Sequence, residues 1–397
     1  MKLLFITMSV RAYKGSNGEL YINTHMNRNT ISRYSDLCDE LTMVIRDGHR
    51  ILTDEEVNSG KYNTFPKDLA KSVVEYDPYE SVSSIIGKDK KQQYLNDVEN
   101  LIKNCDKVIF SAGTGTYTNL AINFCKKYHK KYLILVGGFA FETWWNHSLS
   151  GKIFAPAYEY TCKKNLAEAP YALYVTEKVL QRRYPCAGMA VGCSDVEIPS
   201  VAQEVEDRRI NRIHQIDNLH IFTLATAASV SIRNKGQETV IRALYKLKKE
   251  GISNIKYFLI GDGERTHLTN IIHKYGMEEQ VEFMGVLNHY DLLAFYDKVD
   301  IYIQPSYSEG LSRAIVEAMS MGCPVLCSRV GGNIELCNSE SMFRAGDINQ
   351  IASKIRSLMN KEKLVQESRR NFEFSKEFRE DKLNNIRNKF LNTFIQG

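Results

Sequence analysis

The chain has 397 residues, 43% hydrophobic and 25% charged, with 52 Lys+Arg against 47 Asp+Glu. That length implies two domains of ~100–200 residues each, and the ordinary balance of apolar and charged residues excludes a disordered, collagen-like or coiled-coil protein. The longest strongly apolar stretch, residues 132–141, falls far short of the ~20 residues that span a bilayer. Nine dispersed cysteines (Cys38, Cys105, Cys125, Cys162, Cys186, Cys193, Cys323, Cys327 and Cys337) fit reduced core thiols in a cytoplasmic protein better than disulfides or zinc.

In chain order, residues 2–7 read as a buried first strand. Their apolar core is too short for a signal peptide and runs at once into Arg11 and Lys14. Further β-rich runs follow at 41–46, 107–111, 132–136 and 171–176, with helical patterns at 91–104 and 119–129. Residues 101–190 carry 12 Lys/Arg against 5 Asp/Glu, a surplus of +7 that leaves the rest of the chain at −2. The cluster reads either as solvated helix ends or as a surface for anionic lipid headgroups. Nucleic acid is a poorer partner, since no recognition motif accompanies the charge.

The alternation tightens in the second half. Strands are expected at 220–225, 256–260, 281–284, 300–304, 324–328 and 341–344, and helices at 238–249 and 347–359 among others. Strand–helix–strand alternation implies parallel sheets covered on both faces, and two such halves imply two doubly wound α/β domains. Residues 1–200 form the first domain and 201–377 the second, joined through a polar stretch at 199–211. A charged helical tail follows, its last helix at about 378–397, with Leu383, Ile386, Phe390, Leu391 and Phe394 at helical spacing.

The most informative segment is DIYIQPSYSEGLSRAIVEAMSMGCPVLCSRVGG, residues 300–332. A strand ends near Gln304, a polar loop follows, and a helix begins near Ser312, whose hydroxyl is placed to act as N-cap. Glu309 then lies just ahead of the helix and Glu317 inside it. The free amides of that first turn make an anion site at the carboxyl end of parallel strands. On spacing alone, Arg313 and Glu317 also form a plain i,i+4 ion pair. Lys235-Gly236 opens another helix after a strand and can set an ammonium beside a phosphate. Gly261-Asp262-Gly263 and Gly331-Gly332 each follow a strand, where glycine serves a tight turn or close backbone approach to a ligand.

Taken together, EGLSRAIVE followed by AMSMGCPV, the Asn-Lys-Gly at 234–236, the Gly-Asp-Gly at 261–263 and VEFMGV at 281–286 resemble the retaining glycosyltransferases of the GT-B fold. The similarity is greatest to family 4, the bacterial "group 1" enzymes. It is close over residues 220–359 and limited to pattern in the N-terminal half, whose segments 137–152 and 170–185 look like those of polysaccharide-building members. The resemblance implies a nucleotide-diphosphate sugar donor, a UDP-sugar ahead of a GDP-sugar, and a glycan or lipid-linked glycan acceptor, with no further cofactor and no metal. No Asp-x-Asp motif occurs in the chain. Glu309 would contact the donor sugar, Glu317 the ribose and Lys235 the diphosphate. The amides of Gly310, Leu311 and Ser312 would hold the distal phosphate. Gly261 and Gly263 would border the donor, and Val286 and Leu287 would line the base pocket. Gly15 and Gly18 would close over the diphosphate from the first domain, and the terminal helix would cross back onto that domain.

Two departures stand out. Ala227-Ala228-Ser229-Val230 occupies the place where many relatives carry an arginine, so either Arg233 substitutes or the charge is missing. Gly137-Gly138-Phe139 lacks the histidine that many relatives place near the acceptor, leaving Glu142 and His147 as acceptor-side candidates. Rival readings are a noncatalytic GT-B subunit that binds a sugar nucleotide or a partner enzyme, and a GT-B sugar-nucleotide epimerase or sucrose-synthase type of enzyme.

Overall fold

A computed structural model describes residues 1–23, 26–75, 88–111, 116–146 and 149–397. Among them, nine strands make one sheet: β1 (Lys2–Gly15), β2 (Leu20–Asn23), β3 (Glu40–Leu52), β4 (Tyr62–Thr64), β5 (Lys71–Glu75), β6 (Lys107–Ser111), β7 (Lys131–Val136), β8 (Tyr171–Tyr174) and β9 (Met189–Gly192). The parallel part runs β5-β3-β1-β6-β7-β8-β9, and its order reverses at β1 and β6. β2 and β4 add antiparallel pairs on the far half of β1.

That hairpin departs from a purely doubly wound reading. β1 runs on to Gly15 because Val10 and Ala12 are buried while Arg11 between them is exposed, a period-two pattern beyond the expected strand end. The chain then turns at Gly18 (φ 77°), where the amide of Gly18 donates to the carbonyl of Gly15 at 3.0 Å.

The second sheet is parallel throughout, with β10 (Phe222–Ala227), β11 (Ile255–Ile260), β12 (Val281–Gly285), β13 (Ile301–Gln304), β14 (Val325–Ser328) and β15 (Met342–Phe343) in the order β12-β11-β10-β13-β14-β15. Every residue of β13 and β14 is buried, as strands covered on both faces require. The order reverses between β10 and β13, so the loops that leave these two strands diverge and open a crevice.

The stretch read as a polar connection is helical from Gln203. Within the helix Gln203–His214, Arg209 is buried and caps two helix ends of the second half. Its guanidinium donates to the carbonyls of Tyr296, Val299 and Met321. The terminal helix Glu380–Gln396 lies against the first half. Phe394 packs on Tyr171 at 5.2 Å between rings, Lys107 donates to the carbonyls of Phe394 and Ile395 at 2.7 and 2.8 Å, and Arg387 donates to the carbonyl of Ser194 at 2.7 Å. No helix among the described residues is long and apolar enough to cross a membrane.

Candidate active site

The loops after β10 and β13 meet. Gly236, in the left-handed region (φ 74°), lies so close to the second loop that a Cβ would sit 2.2 Å from the carbonyl oxygen of Pro305. The amide of Tyr307 donates to the carbonyl of Asn234 at 2.9 Å. This backbone contact delivers Lys235 to Glu309: Nζ donates to Oε1 at 2.8 Å. The same oxygen accepts from Nε2 of buried Gln304 at 2.9 Å, and the hydroxyl of Tyr302 in turn donates to Oε1 of Gln304. One oxygen of Glu309 is thus held by two donors, and the other accepts from no described residue.

Behind this loop stand Gly331 and Gly332. A Cβ on Gly331 (φ 50°) would lie 1.8 Å from the carbonyl oxygen of Glu309, and one on Gly332 would lie 2.1 Å from that of Gly310. The amide of Gly332 donates to the carbonyl of Gly310 at 2.7 Å. Gly261 and Gly263 likewise give close backbone approach, to Ala228 and Ser231 of the loop after β10. These glycines therefore buttress the loops that carry the polar groups.

The helix Arg313–Ser320 starts where expected, with Ser312 at the N-cap, but the Ser312 side chain makes no capping hydrogen bond and is buried. The amides of Gly310, Leu311 and Ser312 donate to no other described residue. With the helix dipole and Lys235 nearby they are suited to receive an anion. Glu317, 6% exposed, does not pair with Arg313 as an i,i+4 bridge. Arg313 reaches instead to the carbonyl of Asp195 at 3.4 Å, and the nearest partner of Glu317 is Nδ1 of His289 at 3.7 Å. Burial raises the Glu317 pKa, opposed by the charges of Arg313 and His289. A desolvated carboxylate that makes no hydrogen bond of its own is suited to accept ligand hydroxyls.

Across from this edge lies a cleft cavity of about 890 Å³. Thr7, within β1, and Ser111, at the end of β6, border it with Gly138 and Trp144 of the first half and His289 and Arg313 of the second. Besides the Arg313–Asp195 bond, the halves touch through Gly310 and Glu335. A Cβ on Gly310 would lie 2.1 Å from the carbonyl oxygen of Gly137. The carboxylate of Glu335 accepts from the amides of Glu177, Lys178 and Val179 at 2.7, 2.8 and 2.6 Å, and so caps the helix Val179–Arg183, which has no side-chain cap of its own.

The remaining residues singled out from the sequence scatter. Arg233 is exposed, and its guanidinium makes no hydrogen bond or ion pair among the described residues. Val286 is exposed and Leu287 packs against the core beside it. Gly15 and Gly18 form the turn of the β1–β2 hairpin, where a Cβ on Gly15 would meet Asn17 and Tyr21, and neither borders the cleft cavity. A loop closing over a diphosphate was expected there. The chain instead stays in strand conformation to Gly15 because its alternation continues. Glu142 pairs with Arg183 at 3.5 Å and does not line the cavity, whereas its neighbours Thr143 and Trp144 do. His147 lies outside the described residues. Gln304, His289 and Glu335 were not singled out; a buried glutamine ending a fully buried strand was the one legible signal among them. Among the described residues no cluster of three His, Cys, Asp or Glu side chains is placed to hold a metal ion.

Residues 223–374 match the family model for glycosyl transferases group 1. Over 373 residues the chain is 31% identical to Protein CapJ of Staphylococcus aureus, covering 91% of this chain and 88% of that one. Over a shorter span it is 26% identical to the capsular polysaccharide biosynthesis glycosyltransferase CapM of the same species, covering 34% of this chain and 36% of that one. It is 31% identical to the O-antigen biosynthesis glycosyltransferase WclY of Escherichia coli over 28% of this chain and 30% of that one. In fold it is similar to Anabaena HepE, solved with UDP, at a TM-score of 0.65 and 15% identity over 99% of this chain and 100% of that one. Sucrose-phosphate synthase of Thermosynechococcus elongatus aligns at a TM-score of 0.63 and 14% identity over 100% of both chains. The architecture is GT-B, two Rossmann-like domains that face each other across a cleft.

Proposed function

The chain belongs to the group 1 glycosyltransferases, and from that premise we propose that it moves a sugar from a nucleotide-diphosphate donor, a UDP-sugar before a GDP-sugar, to a glycan or lipid-linked glycan, with retention at the anomeric carbon. The observation that carries this reading is the Lys235–Glu309–Gln304 cluster beside the three unpaired amides of residues 310–312. In this proposal the reaction belongs to cell-surface polysaccharide synthesis, as the relatives CapM and WclY suggest by name, and takes place on the cytoplasmic side of the membrane.

Breaking the sugar–phosphate bond builds negative charge on the leaving diphosphate and positive character on the sugar ring. Lys235 and the loop amides stabilise the first, already positioned before charge develops. The free oxygen of Glu309 orients a sugar hydroxyl and faces the second, while Lys235 and Gln304 hold its other oxygen. Glu317 accepts from the ribose. Attack comes from the face the diphosphate leaves. A retaining double displacement needs two carboxylates ~5 Å apart across the bond, and Glu309 is paired with an ammonium and an amide instead.

The test is transfer from UDP- and GDP-sugars to membrane extracts that contain lipid-linked glycans, with the anomeric configuration of the product read by NMR. Transfer with retention that is lost in Glu309→Gln supports the reading. An inverted product, or nucleotide-sugar binding with neither transfer nor hydrolysis, overturns it.

A further inference from the structure

The helix Leu149–Ala167 is apolar on the wrong side. Gly151, Ala155, Glu159, Cys162, Asn165 and Leu166 are its buried residues and define the inward face. Opposite them, at helical spacing, lie Leu149, Ile153, Ala157 and Tyr160, ending at Lys164. Leu149 is 82%, Ile153 76% and Tyr160 70% exposed, and Phe154 beside them is 52% exposed. Large apolar side chains scattered singly over a surface need no explanation, but a contiguous stripe along one helix marks an interaction face.

The chemistry around the stripe selects the partner. Lys152 flanks it and Lys164 ends it, while the helix's only acid, Glu159, is buried and held by Tyr184, Arg183 and Lys163. The exposed surface of this helix therefore carries cations and apolar groups without a single carboxylate, within the segment of +7 surplus at residues 101–190. Trp145, 42% exposed on the preceding helix Ala140–Trp145, lies under the Lys152 ammonium at 5.7 Å. An apolar face bordered by lysines, with an indole and a phenol at its edge, suits the boundary between headgroups and acyl chains.

We infer that the outward face of the helix Leu149–Ala167 is a docking surface for an anionic lipid bilayer. The placement gives docking a purpose. Tyr158 of this helix stacks on Trp144 at 4.0 Å, and Trp144 borders the cleft cavity, so one helix pair is wall to the cleft on one side and would meet the membrane on the other. A lipid-linked acceptor can then keep its chain in the bilayer while its glycan enters the cleft. This last step rests on the proposed glycosyl transfer; the docking itself does not, and vesicle binding reads docking in the absence of any donor.

The experiment is flotation of the full chain with vesicles of phosphatidylglycerol and phosphatidylcholine, against phosphatidylcholine alone. The chain's two tryptophans, Trp144 and Trp145, supply a second readout without mutation. Recovery with anionic vesicles should exceed that with neutral ones about ten-fold at low salt and fall as salt screens the lysines. Tryptophan emission should shift to the blue and be quenched by brominated lipid. Leu149→Asp with Ile153→Asp should bring flotation to the lipid-free level at unchanged melting temperature, since both sites are exposed. Lys152→Glu with Lys164→Glu should remove the preference for anionic lipid. Equal recovery from both vesicle types, or flotation untouched by the aspartates, overturns the inference. So does a wild-type dimer that does not float and that the aspartates split, which would assign the face to a second copy of this chain.

Discussion

The two halves of the molecule are built on the same strand–helix alternation, yet they hold their polar groups in opposite ways. In the second half a wholly parallel sheet lets the loops after β10, β13 and β14 lean on one another through Gly236, Gly331 and Gly332, with backbone atoms closer than any side chain would permit. Lys235 and Glu309 are locked before any ligand arrives. In the first half the sheet carries an antiparallel hairpin, and the cleft cavity is bordered by glycine, threonine and aromatic side chains together with Asp195 and with Glu197, whose carboxylate pairs with Arg33 and Arg387. The second half thus sets its ion pair by backbone contact between loops and the first by side chains from separate elements; in the proposed reading the former meets the leaving diphosphate and the latter the acceptor.

The sharpest way to break this contrast is at Glu309. If preorganised charge on the second half does the chemistry, Glu309→Gln should cost about 10²–10³-fold in turnover, as for loss of a transition-state contact, with nucleotide affinity nearly unchanged by calorimetry. Lys235→Ala should lose both, since the diphosphate is charged before and after cleavage. Equal losses in affinity and turnover for Glu309→Gln would assign the pair to ground-state binding.

A second substitution asks what holds the site rather than what reacts in it. Arg209 joins the C-terminal ends of the helices His289–Lys298 and Arg313–Ser320 from within the helix Gln203–His214. Arg209→Met keeps most of the volume but leaves the carbonyls of Tyr296 and Met321 without this donor and that of Val299 with only the Cys323 thiol, at a cost of about 3 kcal/mol. Denaturant unfolding should show that loss, with both helix ends loosened. A change below about 1 kcal/mol would mean that water replaces the guanidinium.

How much of this was legible follows from the range of the interactions. β6 occupies residues 107–111 as read, and β11, β12 and β13 start or end within a residue of expectation, because buried parallel strands announce themselves as short apolar runs. The segment at 300–332 placed Glu309, Glu317 and Ser312 because cap, stripe and stop signals are local. The β2–β4 pair was missed because three- and four-residue strands have no periodicity to read. Glu335 was missed for a different reason: its partners lie more than 150 residues away, and they are backbone amides that leave no trace in residue type.

That carboxylate is the third test, because it ties the two halves together. Glu335→Ala removes three charge-assisted hydrogen bonds across the cleft, and about 2 kcal/mol of preference for the closed arrangement should go with them. Small-angle scattering should show a larger radius of gyration, and KM for the acceptor should rise more than that for the donor, whose proposed contacts lie within one half. An unchanged radius would reduce the contact to a local helix cap.

The smallest expected effect, and the one that separates stability from function most cleanly, is at Glu317. Its folded pKa is raised by burial. The sign follows: a carboxyl that is harder to ionise in the folded state opposes folding above its folded pKa, and that cost is relieved as pH falls through it. In the proposed role binding runs the other way, because ribose hydroxyls would need the ionised acceptor. Wild-type nucleotide affinity should therefore weaken on acidification, beginning above the ordinary glutamate range, while Glu317→Gln should bind about ten-fold more weakly near neutral pH and show little of that pH dependence. The same variant should be as stable as wild type or slightly more so near neutral pH, since it removes a buried charge whose nearest partner, His289, is 3.7 Å away. Affinity and stability falling together would mean that Glu317 serves the packing of its helix; affinity falling alone places its carboxylate on the nucleotide.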